Sequence, residues 1–523
     1  MSSATVEQSL ASALVPALAG VLGADAVIRD EGALAYFSND VYRGGAAPLA
    51  VVRPASVEAL QQAVRLCAEA GVAMVPRGGG ASYTDAYILP EGGHVLFDTG
   101  ALDTIEIDEA AAVVTVGAGV TWADLKTALD AKGLRTPFWG PFSGIAATVG
   151  GSMSQNTLSH GSTAHGISAQ SVMSMDVVLA SGEVLCTSAS KAMRWYGPDL
   201  TGLFTGDCGV FGIKVRIRLP LLPVLPRFET LSFAFDSFAD YHTASRKAAA
   251  MRLDDSHFGL DLALSQGQIG RQESMGARLK IAMEIMRKAP DKFKGIAQLV
   301  RMAMAGENPM RAGAYMCHFI VEGFDAEEAA IKAKLLRRML LQHGREIANS
   351  IPTFVHSVPF APLFNVLGPG GERWVPIHGV LAHDRAVGFD AAFKQLIAAR
   401  QAEMDSLGVW IGTMFSPVSS TGFLYEVALY WPDDRTPYHR ETLGADYLAQ
   451  QPQFAPNEAS RKLADELKRA IVALMQDHGA GHFQLGRAYP YRPRLAPEAD
   501  SLLRAIKAEL DPKGLMNPGA LGL

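Results

Sequence analysis

Arg77-Gly78-Gly79-Gly80-Ala81-Ser82, directly after Met74-Val75-Pro76, is the stretch on which the reading of this chain turns. Three consecutive glycines remove every Cβ that would keep a ligand from the backbone, so their N–H groups can converge on an anion. Arg77 adds a positive charge to the same loop. A tight turn has a similar composition, so the loop alone leaves both readings open. It does not fit the commoner nucleotide signatures. A G-x-G-x-x-G site opens a helix and has an acid about 20 residues on. Here the glycines lead into Tyr83-Thr84-Asp85-Ala86-Tyr87, which has no helical face. The Gly-Lys-Ser/Thr of a Walker loop is absent from this stretch.

Outward from the loop, residues 50–220 alternate short strands with helices. Ala50 to Val52 reads as a strand. Ser56 caps a helix whose apolar face is Leu60, Val64 and Cys67, and Gly71 ends it. Val95 to Phe97 and Val113 to Val116 read as strands, and Thr121 with Asp124 opens another helix. Met175 to Leu185 reads as a hairpin turning at Ser181-Gly182. Ile213 to Leu219 alternates apolar and basic residues, as a half-exposed strand does. The Pro-rich run Leu219 to Pro226 reads as a linker. Beyond it, residues 272–305 are Met-rich, basic and helical in period. Asp325 and Glu328 open a helix with the expected face Ile331, Leu335 and Met339, ended by Gly344. Val409 to Ile411 and Phe423 to Tyr430 read as strands. The final helix carries Leu502, Leu503, Ile506 and Leu510 and stops at Asp511-Pro512.

A chain of 523 residues exceeds what one hydrophobic core usually supports, so at least two domains are expected. The net charge of -6 and the lack of a long basic run argue against nucleic acid. Four scattered cysteines without a C-x-x-C pair suggest neither a disulfide framework nor zinc, and fit a cytoplasmic setting. Met1 to Gly23 reads as a first helix rather than a secretion signal. No run of about 18 apolar residues predicts a membrane span.

Two more glycine clusters follow the first. Gly144, Gly150, Gly151, Gly161 and Gly166 interleave with Ser152, Ser154, Gln155, Asn156, Ser159 and His160, a pattern that suits a loop laid along a polar, extended ligand. Gly206-Asp207-Cys208-Gly209-Val210-Phe211-Gly212-Ile213 is the third. Taken in order with Val116-Gly117-Ala118-Gly119-Val120, Val149-Gly150-Gly151 and Asn517-Pro518-Gly519, the set resembles the vanillyl-alcohol oxidase/p-cresol methylhydroxylase superfamily of FAD enzymes. The resemblance covers most of residues 45–220 and the last ~45 residues, as in a split domain. It implies an α+β, two-domain, PCMH-type FAD-binding fold with an α+β substrate cap. The FAD domain would comprise residues 1–225 and 476–523, and the cap residues 226–475.

By the same resemblance, Arg77, Gly78, Gly79, Gly80, Ala81 and Ser82 bind the FAD pyrophosphate. Gly150, Gly151, Ser154, Asn156, Gly161 and Gly166, with Gly209, Gly212 and Ile213, run along the ribityl and isoalloxazine. Asn517 closes back on the domain. Doubly linked members carry a His where this chain has Ala81, which removes that covalent bond. The phenol-oxidising branch links flavin through a His or Tyr in the cap, and Arg373 to Leu381 resembles that region. His378 is therefore either a covalent anchor or a His hydrogen-bonded within a strand.

The segments Gly408 to Phe415 and Phe423 to Tyr430 resemble cap strands of that branch. Tyr425 is a candidate to hold a substrate hydroxyl and Glu426 to act as base, and strand alternation allows only one of them to face the site. In phenol oxidisers a Tyr-Arg pair before the last helix grips the phenolate. This chain has Phe483-Gln484 there, with Arg487 and Tyr489 close by as candidates to bind an oxyanion. Asp477-His478-Gly479-Ala480-Gly481 also resembles the 2-hydroxy-acid dehydrogenase branch. No matching second His pair is seen, so no metal is expected.

The expected activity is FAD-dependent oxidation of a hydroxyl-bearing or para-alkyl phenolic or aromatic small molecule. The alternatives are a 2-hydroxy-acid dehydrogenase, and a flavin-fold binding protein without turnover. The electron acceptor is not readable. A homodimer is expected. The basic helices at 275–305 read either as a cap pair or dimer contact, or as a membrane-surface element.

Overall fold

The computed structural model describes residues 3–190, 192–269, 313–360 and 362–523. The basic, Met-rich helices expected at 272–305 lie outside the described residues. The first four strands are β1 (Val27–Ile28), β2 (Ala50–Val52), β3 (Met74–Arg77) and β4 (Val95–Asp98). They form a sheet of order β1-β2-β4-β3, in which β2, β4 and β3 run parallel. The helix Val57–Ala70 makes one crossover. Ser56 accepts from the Ala59 N–H, and Gly71 leaves the helix in the left-handed conformation. Leu60, Val64 and Cys67 are fully buried beneath it.

The next strands are β5 (Ile105–Asp108), β6 (Val113–Gly117), β7 (Leu134–Arg135), β8 (Ser174–Val178), β9 (Val184–Cys186), β10 (Ile213–Pro220) and β11 (Leu222–Pro223). Five of them make an antiparallel sheet of order β5-β6-β10-β8-β9. Strand β10 is less exposed than its alternation suggests. Lys214 is buried on it, because its ammonium pairs with buried Asp207 at 2.5 Å. The Pro-rich run is not a bare linker either: Leu222 and Pro223 pair with β7.

The remaining strands are β12 (Arg227–Phe235), β13 (Ser256–Asp261), β14 (Tyr315–Gly323), β15 (Arg345–Ile347), β16 (Arg373–Ala382), β17 (Trp410–Val418) and β18 (Gly422–Trp431). They build a seven-stranded antiparallel sheet, β15-β12-β14-β13-β17-β18-β16. The helices Phe238–Met251, Ala326–Leu340, His383–Leu407 and Glu458–Asp477 pack on one face of it, around the largest core. The other face looks toward the glycine loops. Strand β16 is an edge, which is where Pro376 is tolerated. Its free side is capped at one point by the returning chain, where Val380 and Gly481 exchange both backbone hydrogen bonds.

Two expected faces change. In the helix Ala326–Leu340 the buried stripe is Ala329, Ala333, Leu336 and Leu340, while Ile331 is 51% exposed and Leu335 36% exposed. Small alanines let the helix approach the sheet closely, so the larger side chains of the neighbouring row turn outward. In the last helix, Pro497–Leu510, Leu502 points outward while Leu503, Ile506 and Leu510 pack on the second core.

Candidate functional site

One long cavity runs between the glycine loops and the open face of the seven-stranded sheet. At one end lies the loop after β3. Gly78, Gly79, Gly80, Ala81 and Ser82 all line it. Among the described residues, the backbone N–H groups of these five have no hydrogen-bond partner. A run of unpaired donors around a cavity is costly unless a ligand satisfies it. Arg77 sits beneath the loop, its guanidinium over the rings of Phe37, Tyr36 and Tyr87 at 4.6, 5.1 and 5.2 Å. Its Nε and Nη2 are buried without a hydrogen-bond partner. This is the chemistry of an anion seat.

The glycines serve a second purpose that the sequence does not reveal. A Cβ on Gly78 would strike the Thr148 hydroxyl, and one on Gly79 the Ala146 carbonyl. These neighbours precede the helix Val149–Gln155, which Thr148 caps by accepting from the Gly151 N–H. Gly150 in turn lies against Ala118. The two loops therefore close on each other and leave a slot. Gly150, Gly151 and Ser154 line it, as do Gly212 and Ile213 from the third cluster.

Other expected cofactor residues shape the loops without reaching the cavity. Asn156 ends the helix in the left-handed conformation and lies against Gly206. Gly161, Gly166 and Gly209 have positive φ and pack on Pro137, Gln170 and Pro76 respectively. They are turn residues, used where a Cβ has neither the conformation nor the room. Asn517 is a clamp behind the first loop. Its Nδ2 donates to the carbonyls of Ala86 and Cys208, and its N–H donates to the Met74 carbonyl.

Arg487 does not line the cavity. Its Nη1 donates to the carbonyls of Asp85 and Ala86, and its Nη2 to Asn517 Oδ1 and the Pro518 carbonyl. It staples the returning chain to the segment after the first glycine loop.

At the cap end, strand alternation separates the two neighbouring candidates on β18. Tyr425 points into the helix-covered core and donates to Asp390 Oδ1 at 3.0 Å, so it is not a cavity residue. Glu426 points the other way and lines the cavity together with Leu424 and Ala428. Its surroundings lie deep in the protein, and burial alone pushes its carboxyl up to about 7. Tyr83, immediately after the glycine loop, faces it. The Glu426 charge and burial hold the Tyr83 phenol well above its ordinary range.

His378 lies across from Glu426 in the β16–β18 register. Its ring is buried behind Phe483, which stacks on it at 3.9 Å, and it does not line the cavity. Neither ring nitrogen has a hydrogen-bond partner, so the alternative of a hydrogen-bonded strand His does not hold either. Burial and nearby His482 keep it neutral. Tyr489 is also behind the wall. Its hydroxyl accepts from the His378 N–H, and its ring stacks on His482.

Sequence reasoning passed over Tyr83, Trp374, Tyr430 and Gln484 as wall residues. Alternation outward from Glu426 marks Tyr430, and the β16–β18 register marks Trp374. Nothing in the local sequence marks Tyr83 or Gln484.

The slot, its unpaired N–H groups and the buried guanidinium fit an extended dinucleotide with a pyrophosphate, and Arg77 and residues 78–82 would hold that group. Residues 48–188 match the FAD binding domain family. That domain makes FAD the cofactor. The chain is 30% identical over 215 residues to the glycolate oxidase subunit GlcD of Bacillus subtilis, a match covering 40% of this chain and 46% of that one. That match thus spans less than half the relative's length. It is 25% identical over 484 residues to the D-2-hydroxyglutarate dehydrogenase of Xanthomonas citri pv. viticola, covering 91% of this chain and 89% of that one. Its fold is similar to that of p-cresol methylhydroxylase with substrate bound, with a TM-score of 0.73 at 18% identity, covering 99% of this chain and 97% of that one. No described helix is long and apolar enough to cross a membrane.

Proposed function

We propose that the protein is an FAD-dependent oxidoreductase that oxidises a hydroxyl-bearing or para-alkyl aromatic small molecule, with residues 226–475 acting as the substrate cap. The observation that carries this reading is Glu426: a carboxyl raised to about 7, opening into a cavity whose nearby walls are Tyr83, Trp374, Tyr430 and Phe483. FAD supplies the two-electron acceptor. The aromatic walls bind the ring and exclude water. For an alcohol, Glu426 takes the hydroxyl proton as the carbon bearing that hydroxyl gives up its hydride, so that a C=O bond replaces C–H and O–H. For a para-alkyl phenol it takes the phenolic proton as the para-alkyl carbon gives up its hydride, leaving a quinone methide. A base with its pKa near neutrality combines ready protonation with a large deprotonated fraction.

The second reading, a 2-hydroxy acid, draws on the D-2-hydroxyglutarate dehydrogenase similarity over most of the chain. A carboxylate substrate calls for a cation. Among the described residues, the Arg and Lys side chains on the cavity are Arg77 and Lys214, both at the FAD loops, and Lys214 is already paired with Asp207. This favours the aromatic alcohol.

The test is anaerobic reduction of the bound flavin, followed by loss of its visible absorption. Phenolic and benzylic alcohols are expected to bleach it, and Glu426→Gln to slow bleaching by about 10²–10⁴-fold. Bleaching by D-2-hydroxy acids and by no aromatic alcohol would overturn the first reading in favour of the second.

A further inference from the structure

At the cap end of the cavity, three polar side chains stand together. Glu426 comes from β18, Tyr83 from the segment after the glycine loop, and Gln484 from the returning chain. Gln484 is not there by chance of rotamer. Its backbone has φ 50°, a left-handed conformation that is costly for a residue with a side chain. Its N–H is tied to the Gln155 carbonyl at 2.7 Å, which fixes the loop against the cofactor slot. Its side-chain amide acts on the Tyr83 phenol, opposing the rise that burial and Glu426 impose on it. The neighbour Phe483 fills the space over His378.

Among the described residues, the titratable groups around Glu426 offer it no positive charge. Tyr83 faces it, His378 lies across the strand pair and is held neutral, and Tyr489 lies behind His378. Burial raises its carboxyl, and no cation among the described residues lowers it. An anion placed here would meet a like charge in a poorly screened site, or force the carboxyl to take up a proton. A neutral hydroxyl would instead donate to the carboxylate and accept from the Gln484 amide or the Tyr83 hydroxyl.

We propose that this pocket takes its substrate as the uncharged alcohol or phenol, held by Glu426, Gln484 and Tyr83, and rejects phenolates and carboxylates. The assignment rests on the reading of this cavity as the substrate site. Its consequence is a substrate class: neutral aromatic alcohols, and phenols that are still protonated when they enter. Gln484 sets that class, because an amide offers hydrogen bonds of both kinds without adding charge.

The experiment uses the FAD-loaded enzyme and 4-nitrophenol, whose two ionisation states differ in colour and which ionises near neutrality. Binding and the absorption of the bound ligand are measured on either side of its ionisation. Wild-type enzyme is expected to bind the protonated form and to lose affinity about tenfold or more as the ligand ionises. Gln484→Arg is expected to reverse the preference, with the bound ligand absorbing as the phenolate. Glu426→Gln is expected to shrink the wild-type discrimination severalfold. Wild-type binding of the phenolate, as tight as that of the phenol, would overturn the proposal and leave the substrate site standing. Absence of saturable binding in either state would overturn the substrate site itself, and the proposal with it.

Discussion

At Tyr425 and Glu426 a single peptide bond separates a core hydrogen bond from a cavity wall. The two side chains therefore answer differently to substitution. Tyr425→Phe removes one donor to Asp390, which keeps its bond to Lys394. It should cost about 1–2 kcal/mol in denaturant unfolding and leave kcat/KM within about twofold of wild type. Glu426→Gln should do the reverse. Its carboxyl has a folded pKa of about 7 against an ordinary 4.5, so the folded state disfavours its charge. Below the ordinary value both states are neutral and nothing is lost. Between about 4.5 and 7 the unfolded chain ionises while the folded protein resists, so stability falls as pH rises, by up to about 3 kcal/mol, and levels off once the folded carboxyl ionises above about 7. Glu426→Gln should flatten that decline, measured as unfolding free energy across this range, while activity drops. A variant whose stability still falls in step with wild type would show that the carboxyl is not held in this way.

Among the elements, the glycine loops were the most legible. Their order marked the FAD domain because each needs a conformation or a close approach that few residues allow, as Gly79 shows against Ala146. Strand alternation predicted that only one of Tyr425 and Glu426 could face the site, without saying which, since that depends on which sheet face the helices cover. In the helix Ala326–Leu340 apolar size alone points to the wrong face, because close packing buries Ala329 and Ala333. Arg487 poses a related difficulty. A guanidinium near tyrosines suggests an oxyanion, but its donors are spent on main-chain carbonyls and Asn517. Arg487→Ala should therefore unfasten the returning chain from the segment after the first loop. The expected result is a purified protein with a flavin content lowered about tenfold, recoverable by added FAD, and an unchanged KM in the FAD-loaded fraction. An altered KM with full flavin content would point back to substrate binding.

Across the whole molecule, the cavity exists because two sheets of different descent in the chain are held facing one another. Arg135 on β7 reaches over to Asp255 beside β13 and to Glu322 on β14, at 2.5 and 2.9 Å. All three side chains are nearly buried, and such a bridge between chain segments leaves no composition signal to read. The return of the chain to the glycine loops is legible in sequence only in the likeness of the Asn517 region to a known ending. Its physical expression is a second set of ties. Lys507 donates to the carbonyls of Val210 and Met516 and pairs with Asp511, while Asn517 reaches the Ala86 carbonyl, 431 positions away along the chain.

That separation sets a clock for biosynthesis. The glycine loop leaves the ribosome long before Asn517 is made, and at about 5–20 residues per second the wait is on the order of 20–90 seconds. During that interval the unpaired N–H groups of residues 78–82 have neither their cofactor clamp nor the cap over them. FAD capture is thus expected to wait for the returning chain, and a nascent chain stalled before residue 476 to be released colourless.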